Sequence, residues 1–133
     1  MNNEQRAEQL WAQYGADFDS IPKQQIIDLL SAELADPQPG TGDYIRLLCG
    51  YLFCLGDSSD AALLEKAKYE FDMDTGCMID AEWIESLKQD DIHSIARQDL
   101  IQRFTEYYQH YYTPQAPKNK SFWNQLFHHK QKT

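Results

Sequence analysis

Long apolar runs are missing from this 133-residue sequence: no stretch approaches the roughly 20 apolar residues that a membrane-spanning helix needs. A basic segment leading into an apolar one is also missing near the first residues. Neither a membrane span nor a secretory leader is therefore expected, and the expected compartment is the cytoplasm. Cysteine is scarce: Cys49, Cys54 and Cys77 make an odd set without a C-x-x-C pair. That excludes a disulfide framework and leaves reduced, mostly buried, small apolar side chains. Positive charge is scarce too, with 12 Lys and Arg against 21 Asp and Glu and a net charge of -9. Such a surface repels nucleic acid and anionic lipid, so neither is an expected partner, and it steers basic proteins in. Strand-like alternation of apolar and polar residues is absent.

What is present is the composition of a globular protein, 42% hydrophobic and 13% aromatic, in a chain long enough for one domain with its own core. The charge is unevenly placed. Residues 1–91 hold nineteen acids and six bases, whereas residues 118–133 hold Lys118, Lys120, Lys130 and Lys132 and no acid. The division that follows is an acidic helical body over 1–113, a linker over 114–120 bracketed by Pro114 and Pro117, and a basic helix over 121–133. That last helix carries Phe122, Trp123, Leu126 and Phe127 on one side and is expected to dock on the anionic body.

Helical stripes account for the body. Ala7, Leu10, Trp11 and Tyr14 mark a first helix that Gly15 ends; Ser20 and Pro22 open a second through Ile26, Ile27, Leu29, Leu30 and Leu34. The segment Asp36-Pro37-Gln38-Pro39-Gly40-Thr41-Gly42 then breaks the chain. From Asp43 to Leu55 a helix is apolar on most faces, with Arg46 nearly alone, and is expected at the centre of the fold. Gly50 inside it costs about 1 kcal/mol of helix propensity relative to Ala, which predicts the close approach of another helix. Gly56 and Asp57 stop it, and Ser59 or Asp60 starts a helix over Ala61 to Phe71 that pairs with it antiparallel. A turn is expected over residues 72–77. Asp80 then caps a helix with Trp83, Ile84 and Leu87. Asp90 or Asp91 caps another, from about Ile92 to Tyr112, with Ile95, Ala96, Leu100, Ile101, Phe104 and Tyr108 inside. The whole is an all-α, single-domain bundle of six or seven helices, in antiparallel pairs with a HEAT-like look.

Few motifs offer chemistry. Asp72-x-Asp74-x-Gly76 begins like a calcium loop, but its glycine falls fifth where the sixth is required, and Trp83 stands where a bidentate Glu is needed. Helix capping and a Lys68 to Asp72 pair explain those residues instead. The loop from Pro39 to Asp43 enters a helix as phosphate loops do, yet it follows a helix, lacks GxxxxGK[ST] and places Asp43 where the phosphate would sit. Zinc has Cys49, Cys54, Cys77, His93, His110, His128 and His129 to draw on; Cys49 and Cys54 are five positions apart on one helix and so on different faces. There is no GxSxG, and no carboxylate pair is seen to converge. No cofactor or metal is expected. Of the tyrosines in residues 107–112, Tyr108, Tyr111 and Tyr112 are expected in the core.

The central stretch carries a resemblance. Its residues Leu52, Phe53, Gly56, Asp57, Asp60, Leu63, Ala67, Lys68, Phe71, Asp72, Cys77, Ile79 and Asp80 follow a pattern Leu-Phe-x-x-Gly, an acidic turn, Ala-Lys, then Phe-Asp-x-x-x-x-Cys-x-Ile-Asp. In this the chain resembles a family of small bacterial all-helical proteins, and the resemblance implies an immunity protein of a polymorphic toxin system. It covers under a third of the chain; after Asp80 the sequence Ala-Glu-Trp-Ile-Glu-Ser-Leu departs from the family's apolar, Gly-rich character. The expectation is a non-enzymatic module that binds a basic toxin domain through an acidic face made of Asp57, Asp60, Asp72, Asp74, Glu82 and Glu85. A HEAT-like scaffold or adaptor is one alternative. An enzyme using clustered carboxylates such as Asp72, Asp74 and Asp80 is another.

Overall fold

The computed structural model describes residues 3–89, 91 and 93–112, and among them the chain is a single all-α bundle with no strand. The helices are α1 (Asn3–Tyr14), α2 (Lys23–Ala35), α3 (Thr41–Leu55), α4 (Ala61–Glu65), α5 (Met73–Met78), α6 (Ala81–Gln89) and α7 (Ile95–Tyr111). Short 3-10 turns occupy Phe18–Ser20 and Ser58–Asp60, and a π-helical turn, Lys66–Phe71, continues α4. The expected linker 114–120 and basic helix 121–133 lie outside the described residues, as do Asp90 and Ile92.

α3 is the centre because it is apolar most of the way round. Ile45, Leu47, Leu48, Cys49, Tyr51, Leu52 and Phe53 are all fully buried, and α1, α2, α5 and α6 pack on it. Alternate helices also touch, α1 on α3, α3 on α5 and α4 on α6. The expected close approach at Gly50 is present: a Cβ there would overlap the ring of Phe104 from α7. Around that contact the aromatic rings interlock. Tyr51 stacks on Trp11 at 6.0 Å and meets Phe104 edge-on at 5.8 Å, while Trp11 stacks on Tyr108 at 5.4 Å. The Tyr51 hydroxyl donates to the Gly15 carbonyl at 2.8 Å, which ties the end of α1 to the core.

Two buried ions hold the bundle's corners. Glu33 of α2, 5% exposed, takes both Nη atoms of Arg6, the Gln38 amide at 3.0 Å and the Thr41 hydroxyl at 2.7 Å. Burial pushes its carboxyl pKa up, but those hydrogen bonds together hold it below the ordinary value. At the other end Arg97, 2% exposed, donates from one nitrogen to the carbonyls of Phe53 at 3.0 Å and Gly56 at 2.7 Å. A cation thus satisfies the last carbonyls of α3, where the helix dipole favours positive charge.

Arg97 also explains a correction. Ser94 caps α7 by accepting from the Arg97 amide at 3.0 Å, so the helix starts later than an Asp90 or Asp91 cap implies. The register then turns Arg97 inward and leaves Ile95 89% exposed and Ala96 exposed, whereas Leu100, Phe104 and Tyr108 are buried as expected. Tyr111 is 48% exposed and Tyr112 half-buried, so of the three tyrosines expected in the core only Tyr108 is fully inside. Likewise α4 does not run unbroken to Phe71, and it packs chiefly on α6 and the π-turn where pairing with α3 was expected. Cys49 is buried and Cys54 half-buried, but Cys77 is exposed.

Candidate partner-binding site

The stretch 72–77, expected as a turn, is mostly helical, since α5 spans Met73–Met78. Asp72 is extended and caps α5, accepting from the Thr75 amide at 2.7 Å and the Thr75 hydroxyl at 3.2 Å. The expected Lys68 to Asp72 pair does not form. Lys68 sits on the π-turn, and its ammonium donates to the carbonyls of Gly76 at 2.8 Å and Ile79 at 2.6 Å, at the C-terminal end of α5. The backbones meet so closely that a Cβ on Gly76 would overlap the Lys68 carbonyl. The π-turn and α5 are thereby locked into one unit.

That unit pushes two large apolar side chains outward. Tyr69 is 66% exposed and Met73 83% exposed, and both line a groove of about 420 Å³ whose walls include Phe71, Asp72, Gly76 and Cys77. Glu70 and Asp72, which line it, and Asp74, next to Met73 in the chain, are exposed, and among the described residues none has an ion-pair partner. Lys68, the cation in the groove wall, is engaged with backbone carbonyls. A partner's lysine or arginine could lay its hydrocarbon stem on Tyr69 and Met73 and bring its head to these carboxylates.

The six carboxylates expected at the interface fall into different situations. Asp72 lines this groove, and Asp74, in the first turn of α5, follows the groove-lining Met73 in the chain. Glu82 and Glu85 are on the exposed side of α6, opposite the buried Trp83, Ile84 and Leu87. Asp57 and Asp60 form a reciprocal capping box around the Ser58–Asp60 turn, which packs on α6. Asp60 is buried and ion-paired to Lys23 at 2.7 Å, so its charge is already neutralised inside the protein. Asp57 remains exposed, 3.7 Å from the same lysine, and the hydroxyl and amide of Ser59 lower its pKa.

Sequence reasoning missed Glu70, Tyr69 and Met73. Tyr69 and Met73 are four apart, but the extended Asp72 separates their helices, so no helical stripe links them. Among the described residues no three His, Cys, Asp or Glu side chains group so as to hold a metal ion, and no helix is long and apolar enough to cross a membrane. No family profile, curated protein or solved structure matches the chain.

Proposed function

We propose that the chain is a non-enzymatic, cytoplasmic immunity protein that neutralises a basic bacterial toxin domain by covering its active site. The observation that carries this reading is the groove between the π-turn and α5, where exposed Tyr69 and Met73 stand with the carboxylates Glu70 and Asp72, and Asp74 follows Met73 in the chain; none of the three is ion-paired among the described residues. Apolar anchors inside a charged rim are the usual arrangement of binding energy, and a rim of one sign speeds encounter with an oppositely charged protein. Glu82, Glu85 and Asp57 extend the negative field, and Asp60 holds the turn that carries Asp57.

The test is co-expression. A toxin domain encoded next to this chain's gene should arrest growth alone and lose that effect when this chain is present. The double variant Tyr69→Ala/Met73→Ala should fail to protect while remaining folded. Equal protection by the wild-type and the double variant would refute the groove as the interface. An absence of any toxin gene beside it would favour an adaptor.

A further inference from the structure

We propose that the small cleft around Arg46, between α3, α6 and α7, is a binding site for a carboxylate group. Arg46 is the polar exception on α3 and is half-buried. Its guanidinium lies 4.3 Å from the ring centre of Tyr107, 5.1 Å from Tyr108 and 5.5 Å from Trp83, and Nη1 donates to the Tyr108 hydroxyl at 2.6 Å. A guanidinium has five N–H donors in a planar fork. Among the described residues no carboxylate lies within ion-pairing distance of Arg46, and Tyr108 is the acceptor it has. The rings hold the fork in place, so little side-chain freedom is lost when an acceptor binds.

The cleft beside it, about 150 Å³, has Trp83, Leu100 and Phe104 among its apolar walls and Arg103 and Asp80 among its polar ones. Arg103 pairs with Asp99 at 3.1 Å, but both side chains are more than half exposed, and such a pair exchanges its partner at little cost. Asp80 spends part of its charge on the α6 N-terminus, accepting from the Glu82 amide at 2.8 Å. Two cations stand against Asp80 among the lining side chains, and Asp99 beside Arg103 offsets them further, so the cleft offers an anion at most a single net positive charge, which suits a monoanion and disfavours a phosphate dianion. The apolar walls favour an anion carried on a short hydrocarbon. At about 30 Å³ per water the space holds some five non-hydrogen atoms, the size of propionate or of a glutamate side chain's end. The carboxylate can thus come from a small aliphatic acid or from a protein.

The full chain should be titrated with propionate, propionamide, inorganic phosphate and a short peptide with a free C-terminal carboxylate, following the Trp83 indole and Arg46 Nε signals by NMR. Propionate is expected to give saturable shifts at both groups, propionamide none, and phosphate weaker ones. Arg46→Gln should weaken propionate at least tenfold. If that variant does not fold, Arg46→Lys, which keeps the charge and loses the fork, and Arg103→Gln carry the test, and each should weaken binding several-fold. Tighter binding of the peptide than of propionate assigns a protein source, and the reverse a small acid; both uphold the site. Equal shifts from propionamide, tighter phosphate, or unchanged affinity in the arginine variants would overturn it.

Discussion

Gly50 shows how a single residue can contradict local propensity for a reason elsewhere in the fold. Replacing it with alanine gains about 1 kcal/mol of helix propensity but drives a methyl into the Phe104 ring. Overpacking a fixed ring in the core costs about 1–3 kcal/mol, so Gly50→Ala should lower the thermal midpoint, measurable by circular dichroism. Glu33 gives a pH-dependent counterpart. Its folded pKa lies below the ordinary 4.5, so the folded state holds the ionised form better than the unfolded chain does. The stability this contributes is complete above the unfolded value and is lost as pH falls through the folded one. Removing one partner of a buried ion pair costs about 3 kcal/mol, so Glu33→Gln should be less stable than wild type at pH 7 by about that much, with the gap narrowing in urea titrations as pH falls below the ordinary carboxyl value. Among the cysteines, burial raises the thiol pKa of Cys49 and Cys54, and Cys77 is exposed on the groove wall. A maleimide should label Cys77 alone in the folded protein, as mass spectrometry would show.

At the level of elements, the helix ends carry the roles that side-chain periodicity does not reveal. Arg97 joins α7 to the last carbonyls of α3, and Arg97→Met would fill similar space while leaving the Phe53 and Gly56 carbonyls without that donor. Stranding two buried acceptors costs about 1–3 kcal/mol each, so urea unfolding should shift by at least the lower figure. The same logic separates Asp72's two duties. Asp72→Asn keeps a capping oxygen and removes the charge, whereas Asp72→Ala also loses about 1 kcal/mol of capping. The Asn variant should match wild-type stability and bind the partner less well. These junctions also mark where sequence reading stopped. The stripes of α1, α2, α3 and α6 were legible because each buries a regular apolar face. The start of α7 was misplaced because three possible caps precede it, and Asp91 binds the His93 amide at 3.2 Å without capping α7. The π-turn was invisible because its register change depends on Lys68 and Gly76 meeting across eight residues.

For the molecule as a whole, the sequence foretold an acidic all-helical body organised on α3, and the structure agrees on the bundle and its centre. How acidic residues divide between capping, internal pairing and free surface was not legible, since Asp60 and Asp74 look alike in sequence, whereas in the fold Asp60 is buried in a capping box against Lys23 and Asp74 is exposed. The proposed interface therefore centres on carboxylates without an internal cation, and binding there should weaken steeply with added salt because exposed charges are screened within about 10 Å at 0.1 M. The central claim is that these carboxylates around Tyr69 and Met73 hold a basic toxin domain. Calorimetric titration of that purified domain with wild type and with Glu70→Gln/Asp72→Asn/Asp74→Asn tests it most directly. A loss of about tenfold or more in affinity, with stability unchanged, is the predicted result; equal affinity for both proteins would contradict it.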